Sequence, residues 1–347
     1  MNNLHLPTEV ESVADVQKAC KAIRNVYLSL RSELAKVIVG QKKVLDLVLV
    51  SIFADGHVLL DGPPGLGKTL LVNTLSNALQ LTNARIQCTA DLMPADVIGT
   101  VIVDEDISHG KRNFRFRQGP IFNQLVLADE INRATPKCQS AMLEAMQEGS
   151  VSIDGITHQL PRPFFVMATQ NPIDQEGTYS LPEAQLDRFM FKINIGSVSQ
   201  DELTEILNRT TSLNDFETVE IIDGTHIVAI QRLLKHLVIA PQIQDYAIRL
   251  VLATHATSVH APSWVRDQIQ IGASPRAAQA IVSSAKVVAA IDGRFAVSKR
   301  DICAVGVAAL QHRITRTFEA QTAQIDSCEL IERLFQDVPS YEGDCDE

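Results

Sequence analysis

The sequence has few aromatic residues and no surplus of basic ones. Aromatic side chains make up 5% of its 347 residues, and its formal net charge is −10. A platform that stacks bases needs aromatic rings, and non-specific nucleic-acid binding needs a basic surface. The composition therefore disfavours a nucleic-acid-binding protein, although it does not exclude one local basic patch.

Metal-binding cysteine patterns and long apolar runs are also missing. The six cysteines include no C-x-x-C pair and no cluster with histidine at the spacing of a zinc site. Residues 1–12 contain no basic region followed by an apolar stretch, so no signal peptide is expected. The best apolar stretch, 44–60, is interrupted by Asp46, Asp55 and His57 and cannot span a bilayer. We therefore expect a reduced, cytoplasmic protein without membrane insertion.

Hydrophobic patterning divides the chain into an α/β part and a helical part. Short apolar runs alternate with helical stretches, which predicts a doubly wound, largely parallel sheet. The predicted strands are 58–60, 85–88, 125–128, 164–168 and 191–195. We predict an N-terminal helical segment (1–36), the α/β core (37–196), a linker (197–224), an all-helical domain (225–320), and a C-terminal helix with an acidic tail (321–347).

Two insertions interrupt the strand–helix alternation of the core. The runs 101–103 and 113–116 flank a polar turn, and the runs 150–153 and 156–160 flank Asp154-Gly155, a strong hairpin signal. After residue 196 helical patterns dominate, at 227–237, 244–256, 275–290 and 299–309. Ser274-Pro275 and the pair Ser298 and Asp301 provide capping signals for the last two of these helices.

The most specific motif is the glycine-rich run GPPGLGKT at 62–69, which matches G-x-x-x-x-G-K-[ST]. It follows an apolar strand and precedes a helical run, which is the context that a phosphate-binding loop requires. Glycine backbone N–H groups can wrap phosphates, Lys68 can reach the β- and γ-phosphates, and Thr69 can hold Mg²⁺. The motif predicts an ATP site.

Two further strands end in polar residues that suit the same site. Asp129 and Glu130 follow the strand 125–128, where Asp129 can complete the Mg²⁺ shell and Glu130 can polarise the attacking water. Asn171 follows the strand 164–168 and can hydrogen-bond the water or the γ-phosphate. Either feature alone is typical of a surface turn, but three strand ends at one site favour catalysis.

Two arginines outside these strand ends are further candidates for the site. Arg188 follows a short predicted helix that begins at Pro182, and it can either cap helix carbonyls or complete a neighbouring subunit's site. Arg276 lies in the first turn of a helix, where a cation is disfavoured unless an anion lies between them. A phosphate is therefore a reasonable partner for Arg276.

Together these stretches resemble the MoxR family of AAA+ ATPases over about 37–314. The resemblance rests on Val39-Gly40-Gln41, on the loop at 62–69, on LVLADEINRATPKCQSAMLEAMQEG at 125–149, on ATQNP at 168–172, on EGTYSLPEAQLDRF at 176–189 and on GASPRA at 272–277. It implies an AAA+ core with a helix-2 insertion, a pre-sensor hairpin and a helical lid.

The resemblance also implies roles for single residues. The nucleotide-binding set, with the Walker A loop, is Gln41, Gly62, Pro63, Pro64, Gly65, Leu66, Gly67, Lys68, Thr69 and Leu70. Asp129 and Glu130 correspond to Walker B, with Asp129 and Thr69 serving the metal. Asn171 corresponds to the first sensor, Arg188 to the arginine finger acting in trans, and Arg276 to the second sensor, in cis or in trans.

The implied function is ATP-driven, chaperone-like remodelling of partner proteins by a ring, typically a hexamer. The partners implied are von Willebrand A proteins or metal- and cofactor-containing enzymes. A metal-chelatase motor subunit and a nucleic-acid-stimulated motor remain alternatives. The second rests on the first insertion, which carries Lys111, Arg112, Phe114, Arg115, Phe116 and Arg117. A solvated hairpin whose phenylalanines pack and whose arginines face water is the simpler interpretation of that segment.

Overall fold

Helices surround a five-stranded sheet in the computed structural model, which describes residues 12–63, 65–106, 111–171, 178–196, 198–211 and 218–340. The strands are β1 (Val58–Asp61), β2 (Asn83–Gln87), β3 (Gly99–Asp106), β4 (Lys111–Gln118), β5 (Leu125–Asp129), β6 (Ser150–Ile153), β7 (Ile156–Gln159), β8 (Phe165–Gln170), β9 (Phe191–Asn194), β10 (Ile269–Ile271) and β11 (Thr315–Arg316).

The helices cover most of the remaining chain. They are α1 (Val13–Val37), α2 (Lys42–Phe53), α3 (Lys68–Ala78), α4 (Pro94–Ile98), α5 (Pro136–Glu148), α6 (Glu183–Leu186), α7 (Gln200–Thr210), α8 (Gly224–Lys235), α9 (Pro241–Ala253), α10 (Val265–Gln268), α11 (Pro275–Ile291), α12 (Lys299–Leu310), α13 (Phe318–Thr322) and α14 (Ser327–Asp337). Single 3-10 turns lie at Pro120–Phe122 and Ile131–Arg133.

The central sheet has the strand order β2-β5-β8-β1-β9, and all of its pairs are parallel. The predicted doubly wound, parallel sheet is therefore confirmed. Strand β1 is buried on both faces: Val58 and Leu60 pack in one hydrophobic cluster, and Leu59, between them, packs in the other. Because the strands are parallel, the loops that follow β1, β5 and β8 all emerge at the same edge.

Both predicted insertions form antiparallel hairpins. Strands β3 and β4 pair from Gly99↔Gln118 to Asp106↔Lys111, and β6 pairs with β7 across a turn at Asp154 and Gly155, both with positive φ. The two hairpins meet where the rings of Phe116 and His158 lie 4.3 Å apart. Phe116 thus packs as the solvated-hairpin interpretation expects, whereas Phe114 is 76% exposed.

Helices dominate the chain after β9, as predicted, and they pack onto the core. Helix α1 contacts α11, and both contribute to the hydrophobic cluster that also contains Val58 and Leu60. Ser274 and Ser298 cap α11 and α12 as expected. The sequence patterns missed the short ladder between β10 and β11 and the helix α7 inside the predicted linker. Within the described parts of the chain, no helix is long and apolar enough to cross a membrane. The predicted acidic tail, at 341–347, lies outside the described residues.

Candidate functional site

The glycine-rich loop joins the end of β1 to the start of α3. Gly65 and Gly67 have φ values of +85° and +74°, and a Cβ atom added at either would meet nothing within 4 Å. These left-handed conformations favour glycine and leave the backbone open on the loop's inner side. Lys68 is the first residue of α3, so the positive end of the helix dipole points into the loop.

The other predicted residues of the loop lie around this cradle. The Lys68 ammonium group donates to the Gly62 carbonyl at 2.8 Å. The Gln41 side-chain amide donates to the Leu66 carbonyl at 3.4 Å, which attaches the segment before α2 to the loop. Pro63 lies in the loop, and Thr69 and Leu70 lie in the first turn of α3, where Leu70 is exposed. Pro64 lies outside the described residues.

Asp129 is the last residue of β5 and Glu130 directly follows it, beside the end of β8. The Thr169 hydroxyl donates to the Asp129 carboxylate at 2.7 Å and accepts the Glu130 backbone N–H at 2.8 Å. Thr169 is fully buried, so this side chain fixes both acidic residues relative to the sheet. Asn171, which is also buried, directly follows β8, the strand that contains Thr169. The three strand ends that the sequence analysis singled out do meet.

Glu130 has an unusual backbone conformation. Its φ is +56°, in the left-handed region that residues with a side chain seldom occupy. Its carboxylate accepts from the Arg133 guanidinium at 2.9 Å and from the Gln87 amide at 3.4 Å. These two donors hold the Glu130 carboxylate, which lines the cavity described next.

These residues line one cavity of about 320 Å³. Its lining comprises Gly65, Gly67, Lys68, Thr69, Arg85, Gln87, Asp129, Glu130 and Asn171. Burial lowers the pKa of the Lys68 ammonium group, while nearby carboxylates, Asp129 first among them, oppose that shift. Glycine N–H groups, a lysine and a helix start suit phosphates, and the oxygens of Thr69 and Asp129 are the ligand type that Mg²⁺ prefers.

Arg188 and Arg276 line a different cavity, of about 310 Å³, which shares no lining residue with the first. One Arg188 terminal nitrogen donates to the Leu143 carbonyl at 3.1 Å, and its Nε is buried without a hydrogen-bond partner among the described residues. Arg276 lies 3.3 Å from the Gln147 side-chain oxygen and 3.6 Å from the Asp187 carboxylate. The structure therefore brings the two arginines together, away from the loop at 62–69.

The two cavities lie at opposite edges of the sheet. The second includes residues 54–57, which precede β1, and Met190, which precedes β9, whereas the first follows the other end of β1. At about 3.3 Å per residue, the four residues of β1 span roughly 13 Å. That span is longer than an arginine side chain, so neither arginine can reach the loop of its own chain from this position.

Comparisons with known proteins identify the family of the chain. The ATPase family associated with various cellular activities (AAA) matches at residues 57–191, and the AAA lid domain matches at 261–334. The chain is 40% identical over 306 residues to Chaperone MoxR1 of Mycobacterium tuberculosis, covering 88% of this chain and 80% of that protein. It is 30% identical over 335 residues to Protein MoxR of Methylorubrum extorquens, covering 91% and 96%.

The chain belongs to the MoxR family of AAA+ ATPases. A solved structure from Cytophaga hutchinsonii, assigned as an ATPase, is similar at a TM-score of 0.86 and 37% identity, covering 94% of this chain and 98% of that one. The core-plus-lid fold expected for a MoxR protein is thus confirmed.

The sequence patterns did not point to three residues in or beside the first cavity: Arg85, Gln87 and Thr169. Arg85 contacts the Asp129 carboxylate at 2.7 and 3.2 Å. Gln87 lies opposite Asp129 in the pairing of β2 with β5. Only the adjacency of these two strands, which are separated in sequence by a hairpin, brings them to the site. Thr169 lies in the motif ATQNP at 168–172, and its position at the end of a predicted strand is the signal that could have assigned it to the site.

Proposed function

We propose that the chain hydrolyses ATP with Mg²⁺ and uses the energy for chaperone-like remodelling of partner proteins in the cytoplasm. The observation that supports this most is the convergence of Lys68, Asp129, Glu130 and Asn171 in one cavity beside an open glycine loop. A loop with only a structural role would not need two acids and an amide gathered from two other strand ends.

Each group has a chemical role in this proposal. The loop N–H groups and Lys68 bind the β- and γ-phosphates, and Gln41 lies on the side of the base. Thr69 and Asp129 hold Mg²⁺, which neutralises phosphate charge when it is bound. Glu130 accepts a proton from the attacking water, and Asn171 orients that water.

Arg188 and Arg276 complete the site of a neighbouring subunit in a ring, which we take to be a hexamer. Both lie at the sheet edge opposite their own nucleotide loop, and the Arg188 Nε has no protein partner among the described residues. The described lining of this cavity includes three guanidinium groups, those of Arg188, Arg276 and Arg313, and two carboxylates, those of Asp55 and Asp187. The excess positive charge suits an anion such as a phosphate supplied from outside the chain.

The lid geometry favours action in trans for Arg276 as well. Residues after α12 bind the core segment around β9: His312 contacts the Phe189 carbonyl at 3.0 Å, and the Gln311 side-chain oxygen accepts from the Asn194 side-chain amide at 3.0 Å. A lid anchored there cannot carry Arg276 across to its own loop without breaking these contacts.

A mixing experiment tests the shared site. Arg188→Ala should bind ATP but lose turnover, since an arginine finger contributes about 10³–10⁵-fold to rate. Lys68→Ala should also be inactive, yet it keeps both arginines. Mixtures of the two inactive variants should regain activity, whereas Arg300→Ala, an exposed-arginine control, should behave as wild type. Undiminished turnover of Arg188→Ala alone would contradict the assignment.

The clients we propose are von Willebrand A proteins or metal- and cofactor-containing enzymes. The relative named as a chaperone supports the remodelling role. A Glu130→Gln variant should hold ATP and client together, so purification from the native host with ATP should capture the client, and Lys68→Ala should not. Recovery of a large chelatase subunit or of nucleic acid would move the chain to one of those alternatives.

A further inference from the structure

We propose that Asp187 and Arg313 are positioning residues that hold Arg188 and Arg276 in one fixed arrangement for the neighbouring subunit's nucleotide. The inference rests on the shared site proposed above and adds two residues to it. Neither Asp187 nor Arg313 touches the nucleotide in this scheme; they act through the two arginines beside them.

Arg313 is saturated with contacts inside its own chain. Its side chain is 3% exposed, and its Nε donates to the Asp187 carboxylate at 2.7 Å. Its terminal nitrogens donate to the carbonyls of Asp187 at 3.0 Å, Phe189 at 2.7 Å, Met190 at 3.1 Å and Ala309. An arginine has five N–H donors, and all five are used here. Arg313 therefore has no donor left for a phosphate and serves to shape the segment 187–190, which carries Arg188.

Asp187 joins that segment to the start of α11. Both of its carboxylate oxygens lie 2.8 Å from the donating Ser274 hydroxyl, and one lies 3.6 Å from an Arg276 terminal nitrogen. Ser274 is the N-cap of α11, and Arg276 lies in that helix's first turn. One carboxylate thus connects α11 to the loop after α6, while Arg313 holds that loop from the end of α12.

Arg188 and Arg276 differ from Arg313 because their N–H donors are not all used within the part of the chain that the structure describes, which is what a ligand-binding group requires. The Arg188 Nε is buried and unpartnered among the described residues, and the Arg276 side chain is 43% exposed with only long contacts. A guanidinium group held by carbonyls and a carboxylate loses little freedom when it binds, so pre-orientation increases the rate. The contacts of Asp187 with Ser274, Arg276 and Arg313 also couple the positions of the two arginines, although Arg188 belongs to the core and Arg276 to the lid.

The substitution that tests this idea is Asp187→Asn, which keeps the size and one acceptor oxygen but removes the charge. We expect ATP binding at the variant's own loop to be unchanged and kcat to fall by roughly tenfold to a hundredfold, because displaced catalytic groups carry costs of that order. Ring assembly, followed by light scattering, should persist. Asp201→Asn, at an exposed acid in the first turn of α7, is the matched control.

Mixing with Lys68→Ala distinguishes positioning in trans from damage in cis. In a mixed ring, an Asp187→Asn subunit binds ATP and receives intact arginines from a Lys68→Ala neighbour. With random mixing and independent sites, activity should recover to about a quarter of the wild-type turnover per subunit in a head-to-tail ring. Ser274→Ala, which keeps the carboxylate, should show a smaller loss with the same recovery, and it replaces Asp187→Asn if that variant does not fold.

The outcomes separate this inference from the function on which it rests. If Arg188→Ala recovers with Lys68→Ala but Asp187→Asn does not, the shared site stands and the positioning role is wrong. Full activity of Asp187→Asn alone also overturns the positioning role. If Arg188→Ala itself fails to recover in the mixture, the shared site is wrong.

Discussion

At the scale of single residues, Glu130 combines backbone strain with a precise set of partners. Its φ of +56° has an energetic cost of about 1–3 kcal/mol for a residue with a side chain. The buried Thr169 hydroxyl stabilises this conformation by accepting the Glu130 N–H. Strain that is maintained by a buried partner is typical of functional sites.

We predict that Glu130→Gln binds ATP with nearly wild-type affinity and hydrolyses it at least about 10²-fold more slowly, because the amide cannot accept the water's proton. Binding is measured with a fluorescent nucleotide, and turnover by phosphate release. Glu144→Gln, on the exposed face of α5, is the control and should be fully active. Wild-type turnover in Glu130→Gln would assign the base to another residue.

Arg85 is the second residue for which the structure makes a specific prediction. It pairs with the Asp129 carboxylate at 2.7 Å and is half-exposed at the site. Because Arg85 occupies a carboxylate oxygen that the proposed function assigns to Mg²⁺, Arg85→Ala should lower the Mg²⁺ concentration for half-maximal activity severalfold. The measurement is a Mg²⁺ titration of ATPase rate at fixed ATP. A higher Mg²⁺ requirement would show that Arg85 instead supports the metal–nucleotide complex.

At the scale of elements, α12 connects lid stability to the second cavity. It begins at a capping box formed by Ser298 and Asp301, and it ends three residues before Arg313. The Asp301 carboxylate is buried, and it accepts from the Ser298 N–H at 2.8 Å and from the Arg294 guanidinium at 2.8 Å. The hydrogen bond with Asp301 raises the pKa of the Arg294 guanidinium group, which stays charged.

We therefore predict that Asp301→Ala lowers the free energy of unfolding by about 2–3 kcal/mol. The substitution removes a helix cap and leaves the Arg294 guanidinium group without its buried acceptor. The partial exposure of Arg294 to water reduces the cost of losing that acceptor. Denaturant unfolding followed by circular dichroism measures the change. Asp201→Ala removes an exposed acid from the first turn of α7 and should change stability by less than about 0.5 kcal/mol. Equal effects of the two substitutions would contradict the role given to Asp301.

At the scale of the whole molecule, one chain places the cavity at the glycine-rich loop and the cavity with Arg188 and Arg276 at opposite edges of its sheet. Under the proposed function, a subunit presents ATP at one edge and arginines at the other, an arrangement that a heterologous, head-to-tail contact would complete. Closure of such contacts would give a ring. The paired residues Val103 and Phe114, both exposed, lie along the β3–β4 hairpin of the same core.

We predict that turnover per subunit rises with protein concentration and then reaches a plateau, because assembly creates the complete site. Phosphate release across a dilution series, with mass measured by light scattering at each point, checks this. Arg188→Ala should assemble over the same range yet remain inactive throughout. Constant turnover down to concentrations at which only monomer is present would show that each chain hydrolyses ATP unaided.

The sequence by itself determined the features that are contiguous along the chain. The loop at 62–69, the strand ends at Asp129 and Asn171, the hairpin turn at Asp154-Gly155 and the caps at Ser274 and Ser298 depend on local backbone conformation and on periodicity over a few residues. The parallel sheet followed from strand–helix alternation, and with it the meeting of several strand ends at one edge.

Only the tertiary structure decided which distant residues become neighbours. The strand order β2-β5-β8-β1-β9 brings Arg85 to Asp129, and packing of the lid onto the core brings Arg313 to Asp187. No periodicity encodes these contacts, because each joins segments whose separation in sequence is unrelated to their separation in space. The same packing separates Arg188 and Arg276 from their own nucleotide loop, since it places them at the edge where the strands begin.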